Sequence, residues 1–273
     1  MFFLAVMTFG AFLGLTSLRE RQVASFKEPF ASGRVVVPAS MLLVLYGGDR
    51  FLAANLETVR LTATGVEGGQ GDMDYLVRAQ RVVSELNSCH EDNYYLANGL
   101  LSWGGAVAEG NEILRAAMQC RTWDFMPAFF YGVNLAFFQH RFIEAERVLE
   151  IGAQRSAENS ASLRKLGVML RVEAYSDEKI ALEYLTRQRD QALDSKLRAM
   201  LEKRVKRLEG LVSLRAAKRA YEKGVGKLIS IQELVDSKFL TAIPEDPLGL
   251  GFELRDGEIV MKKIQIFGLG APQ

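Results

Sequence analysis

Two cysteines and two histidines are all that this chain of 273 residues holds in soft and imidazole ligands. A metal site needs three or four convergent ligands, and here only Cys89, Cys120, His90 and His140 could serve with nearby carboxylates. The adjacent Cys89-His90 step does not match a structural zinc spacing, so no metal and no cofactor is expected. An excess of charge is also missing. With 34 Lys and Arg against 33 Asp and Glu the net charge is +1, which gives no whole-protein argument for nucleic acid. Catalytic signatures are absent too. No Gly-x-Ser-x-Gly occurs, and the carboxylate pairs Glu144/Glu150 and Asp246/Asp256 read as exposed-face and turn residues. The segment Gly65 to Gly71 carries four glycines in seven residues. No Gly-Lys-Ser/Thr comes after it, so it reads as a linker and not as a phosphate loop. No catalytic residue emerges, and the chain is expected not to be an enzyme.

What is present is apolar substance, 49% of the residues, ample for a sizeable core. Met1 to Leu18 holds no charge, and Arg19, Glu20 and Arg21 stop the run abruptly. Its length is at the lower edge of a membrane-spanning helix. No basic residue precedes it and no small-x-small cleavage site comes after it, so it reads as an uncleaved, single-pass inner-membrane anchor. Orientation has two solutions. Arg19, Arg21 and Lys27 would keep the body in the cytoplasm; a missing basic leader before Met1 would place it in the periplasm, the side expected here. Val35 to Tyr46 is a second apolar run of twelve residues containing Pro38, too short to cross a bilayer. Phe51, Leu52, Leu56 and Val59 then recur at helical spacing, which predicts a helix that packs on the first repeat or lies near the bilayer surface, packing being the use expected. Asp72 is placed to cap a helix carrying Tyr75, Leu76, Ala79, Val82, Val83 and Leu86.

From Asn93 to Asp190 a helical-hairpin pattern repeats. Gly99, Gly132 and Gly167 come after apolar or aromatic clusters at spacings of 33 and 35. The expected hairpins are 93–107 with 111–120, 124–139 with 142–154, and 161–175 with 178–189. Asp124 to Gln139 is apolar nearly all round, as an inner helix would be, and Phe142 to Gln154 carries a single stripe, Phe142, Ala145, Val148 and Leu149. Asp194 to Lys223 reads as one long helix with Leu197, Leu201, Val205, Leu208, Val212 and Leu214 along a near-heptad stripe. Ten of its thirty residues are Lys or Arg and four are Asp or Glu. This reads as the solvated cap of an array, with anionic lipid as a further candidate contact. Ser230 with Glu233 suggests a capping box, and Asp256-Gly257 between alternating runs signals a β-hairpin.

The period is the signature of tetratricopeptide-type arrays. Glu144-Ala145-Glu146-Arg147-Val148-Leu149, after the aromatic-rich Phe129 to Phe138, is similar to the second helix of a tetratricopeptide repeat. Pro38 to Ala54 resembles a segment found in anchored tetratricopeptide proteins of Gram-negative bacteria. Ile243 to Val260 resembles the carboxyl ends of major pseudopilins, without the pilin signature at the amino end. The tetratricopeptide resemblance implies a scaffold or assembly factor and supplies no catalytic residues.

The expected fold is thus all-α, a helical-repeat array (α-solenoid) with an N-terminal anchor helix and a small C-terminal β-hairpin unit. The boundaries expected are 1–18, 19–71, 72–190, 191–226 and 227–273. Such an array would bind a protein or peptide partner in a groove made by first helices, with Tyr94, Tyr95, Trp103, Trp123, Phe130 and Asn134 as groove residues. The spacing of Cys89 and Cys120 allows a disulfide across the first hairpin, which would imply an oxidising compartment; buried free thiols are the other reading. The function expected is a membrane-anchored scaffold in assembly of a cell-envelope or secretion complex. Its alternative is a permanent structural subunit that makes contacts through its N-terminal helix and C-terminal hairpin.

Overall fold

The computed structural model describes residues 34–64 and 72–262. The expected anchor over Met1–Leu18 and the linker over Gly65–Gly71 lie outside these residues. The chain is largely helical with one two-stranded antiparallel hairpin near its carboxyl end. It divides into two compact units, Met1–Ile113 and Leu114–Gln273. The division falls inside a helix.

In the first unit, α1 is Ala39–Leu45, α2 Arg50–Thr64 and α3 Met73–Leu86. After them come α4, Glu91–Leu96, a π-helical turn, Ala97–Ser102, and the start of α5, Val107–Cys120. Short acidic side chains begin two of these helices. Asp49 accepts the N–H groups of Phe51 and Leu52, and Asp72 accepts that of Tyr75, each relieving donors that have no partner in a first turn. The core joins Leu42 of α1, Ala53 and Ala54 of α2, and Val82, Val83 and Leu86 of α3.

The apolar stripe expected to pack on α2's neighbours faces the other way. Phe51 is 58% and Val59 63% exposed, with Leu52 and Leu56 also exposed. The buried face is Ala53, Ala54, Glu57, Thr58 and Leu61. Small residues let α2 approach its neighbours closely, and the carboxylate of Glu57 goes inside because Arg60 pairs with it. Periodicity identified a stripe but could not tell which arc the neighbouring helices would cover. The helix expected over 93–107 also ends early. It closes at Ser102, where Trp103-Gly104-Gly105 turns the chain and Gly105 adopts φ +100°, a region that favours glycine.

In the second unit, α6 is Met126–Phe137, α7 Phe142–Arg155, α8 Ser160–Glu173, α9 Glu178–Gln191 and α10 Ser195–Gly224. The one-turn helix α11, Glu233–Asp236, and the strands β1, Phe252–Arg255, and β2, Glu258–Met261, complete it. The helix positions agree with the hydrophobic periods, but α8 packs chiefly on α7, and α9 chiefly on α10. Two glycines set the close approaches. A Cβ on Gly132 would meet Leu149 Cγ at 2.8 Å, and one on Gly167 would meet Glu146 Cα at 3.4 Å.

The long helix buries its apolar stripe and keeps a solvated basic face, with Lys196, Arg198, Lys203 and Arg219 exposed. Asp194 caps it by accepting the Leu197 N–H at 2.7 Å, and Leu197, Leu201, Val205, Leu208, Leu211, Leu214, Ala217 and Tyr221 are buried along it. Leu211 stands where a strict heptad would put Val212, since an unsupercoiled helix keeps 3.6 residues per turn. The hairpin belongs to the same core through Phe252 and Ile259, so the basic helix and the C-terminal segment are not separate units. Three of the basic side chains hold that segment down. Arg207 pairs with Asp246 at 3.0 Å, Arg215 donates to the Ile259 carbonyl at 2.7 Å and pairs with Glu178, and Lys218 meets Glu222 and Glu258 at 3.2 Å.

The hairpin forms as expected, with register Phe252↔Met261 to Arg255↔Glu258. Asp256 and Gly257 have φ +53° and +80°, both positive as the two-residue turn requires. The capping box does not form. The helix begins at Glu233, Ser230 Oγ accepts the Gln232 N–H instead, and the Glu233 carboxylate accepts from Tyr221 on α10.

Candidate functional site

The six aromatic and amide residues expected to line one groove fall three to each unit. In the first unit Tyr94 is only 1% exposed and stacks on Tyr95 at 4.7 Å between centroids. Tyr95 and Trp103 are exposed. In the second unit Trp123 is exposed under the Arg121 guanidinium, Phe130 is half-buried against Phe129, and Asn134 is buried in α6. Tyr94 and Asn134 thus offer no surface to a partner. Both sit on helix faces that neighbouring elements cover, so their side chains serve packing.

A concave feature of the second unit is elsewhere. A groove of about 810 Å³ opens between α7, α8 and the link from α9 to α10. Ile151, Val168 and Leu197 give it an apolar lining, and Gln154, Gln188 and Gln191 bring side-chain amides to it. One wall carries Glu150, whose two carboxylate oxygens accept from Arg164 Nε and Nη2, each at 2.9 Å. That forked bond holds the Arg164 guanidinium above its ordinary pKa, against the opposing effect of burial. Leu193 stands at the rim, 98% exposed, directly before the Asp194 cap. Its position is fixed from behind, because Arg198 Nε and Nη2 both donate to the Ala192 carbonyl, at 3.1 and 2.7 Å.

This arrangement has the makings of a peptide-binding surface. Amide side chains can both donate to and accept from an extended backbone; charged residues, Glu146, Arg147, Glu150, Arg164 and Asp194, also line the groove, and the Gln154 amide donates to Glu150 at 3.2 Å. Nearby, Tyr184 donates to the Glu146 carboxylate, and burial with that hydrogen bond pushes the phenol far above its ordinary pKa. A proton-accepting tyrosinate is thereby disfavoured. Sequence reasoning missed the groove because it sought aromatics on first helices. The one available signal was Leu193, a large apolar residue stranded between a helix end and a capping aspartate.

In the first unit His90 caps α4. Its Nδ1 accepts the Asn93 N–H at 3.3 Å, which assigns the proton to Nε2, 2.9 Å from Asn55 Oδ1 and 3.4 Å from Thr58 Oγ1. Burial holds its pKa below the ordinary value, with Asp92 opposing. His140 supports a reversal of the chain. It takes φ +53° after α6, where the Arg141 N–H returns to the Leu135 carbonyl. Neither cysteine is a free thiol: Cys89 and Cys120 are both disulfide-bonded. Among the described residues no group of three or more His, Cys, Asp and Glu side chains could hold a metal ion, and no helix is long and apolar enough to cross a membrane. Comparison with protein-family models, with curated proteins and with solved structures returns no match.

Proposed function

We propose that this chain is a binding protein whose helical hairpins stack in a tetratricopeptide-like array, and that its second unit captures an extended segment of a partner protein. The observation that carries this reading is the groove between α7, α8 and the α9–α10 link, where three glutamine amides border an apolar floor. An extended segment would satisfy backbone groups on Gln188 and Gln191, and on the carbonyl of Gln154, whose amide nitrogen donates to Glu150. Its side chains would bury against Ile151, Val168 and Leu197, with Leu193 closing the rim. The wider setting that we propose is a scaffold held at the inner membrane by Met1–Leu18, its body on the oxidising side. There it would serve assembly of a cell-envelope or secretion complex. The disulfide-bonded state of both cysteines supports that side of the membrane.

Selection of displayed linear peptides on the full chain tests the reading. Enriched peptides are expected to lose at least about ten-fold in affinity on Leu193→Asp, as for a contact residue placed against the ligand. Tyr95→Ala, in the other unit, should leave binding unchanged. A selection that enriches nothing, or peptides indifferent to Leu193→Asp, would overturn it.

A further inference from the structure

The outer side of α1 and α2 is rich in exposed apolar residues, with the Arg50 guanidinium at its edge over the Phe51 ring. Met41, Val44, Leu45, Phe51, Leu56 and Val59 are all exposed on it, Val44 to 81%. On α2 the outward arc runs through Phe51, Leu52, Asn55, Leu56, Val59, Thr62 and Ala63 without a charged residue. Every charged side chain between residues 34 and 64 is engaged within the unit. Arg34 lies over the Tyr75 ring, Asp49 caps α2, Arg50 Nε donates to the Leu86 carbonyl at 2.6 Å, and Glu57 pairs with Arg60. Such a face is costly to leave in water, and monomers rarely keep one without a use.

From these observations we infer that the α1–α2 face docks into the interfacial layer of a lipid bilayer. The occupant is argued from two features. The chain outside the described residues ends at residue 33, immediately before the face, and its first eighteen residues hold no charge. As a helix that run would measure about 27 Å, close to the hydrocarbon thickness of a bilayer. A bilayer holding it would lie within reach of α1, across a connection of only fifteen residues, 19–33. The second feature is the poverty of the face in polar groups. Protein interfaces carry a polar rim and roughly one hydrogen bond per 100–200 Å² to set their register. Here Asn55 Oδ1 already faces His90, and Thr62 Oγ1 donates to its own helix at Thr58 and Val59. Lipid acyl chains ask for no register. The cation beside the arc, Arg50, is held by the Leu86 carbonyl and lies over the Phe51 ring, so the attachment is mainly apolar, and anionic headgroups and salt have little to act on.

The test uses the full chain reconstituted in phosphatidylcholine vesicles, with photoreactive benzoylphenylalanine in place of Leu56 and, as a control, in place of exposed Ile180 of the second unit. Irradiation is expected to give a phosphatidylcholine adduct at position 56 and none at 180. The adduct should persist in molar salt, be unchanged by added phosphatidylglycerol, and be lost on Phe51→Glu with Val59→Glu. Both are exposed positions, so these substitutions leave the fold intact, as an unaltered circular dichroism spectrum would verify. A cross-link from 56 to residues 1–33 would mean that the chain covers its own face, and one to a second copy would mean a dimer. Either result overturns the inference, as does no adduct at all or an adduct that requires phosphatidylglycerol.

Discussion

At the scale of the residue, His90 shows how a side chain of ordinary sequence context comes to hold a junction. It caps α4 through Nδ1 and reaches Asn55 and Thr58 on α2 through Nε2. The cap needs Nδ1 without a proton, whereas Nε2–H can be donated by either form of the ring; protonation would end the cap and set a cation at a helix N-terminus, where the dipole opposes it. Burial lowers the folded pKa below 6.5, so just below that pH the unfolded chain binds more protons than the folded one. Stability therefore declines as the pH falls through 6.5 and levels off once the lower folded value is passed. Urea unfolding from about pH 7.5 down to about pH 5 reads this. His90→Asn keeps a capping side chain and should flatten the profile. An unchanged slope in the variant would assign the pH dependence to other groups.

At the scale of the element, the C-terminal hairpin is held by its turn and by the helix beneath it. Gly257 sits at φ +80°, so Gly257→Val places a β-branched residue in the left-handed region at a cost of about 1 to 3 kcal/mol. Because Ile259 and Phe252 lie in the core with Leu211 and Leu214, the loss should appear in the unfolding of the whole second unit. Local fraying alone, with the main urea transition unmoved, would contradict that coupling. Asp246 is a second anchor. Burial would raise its pKa, but the N–H groups of Leu248 and Gly251 together with Arg207 outweigh burial and keep it below the ordinary value. The Pro/Gly-rich segment before the hairpin is thus tied to α10 by one carboxylate.

At the scale of the whole molecule, the near-cancellation of charge leaves association to local surfaces, and redox state becomes the global variable. Alkylation of the full chain taken from its native cells should leave Cys89 and Cys120 unmodified until a reductant is added. Opening a bridge across this span should cost about 3 to 4 kcal/mol on the chain-entropy model, seen as a lower urea midpoint after reduction. Thiols that alkylate without reductant would sink the bridge and, with it, the oxidising side proposed for the body.

The sequence by itself determined the helical class, the helix positions from Asp124 to Gly224 and the turn at Asp256-Gly257. Those arise from periods, caps and backbone preferences, all of which act within a few residues. Tertiary structure alone decided which arc of each helix is covered. It turned Ala53 and Glu57 inward and Phe51 and Val59 outward on α2, and buried Tyr94 and Asn134, which sequence had offered to a partner. It also drew Phe252 and Ile259 of the hairpin into the core that lines α10. The groove beside Leu193 exists only because α7, α8 and the α9–α10 link meet there. Burial depends on neighbours distant in sequence, and a hydrophobic period states that a face exists without naming what will cover it.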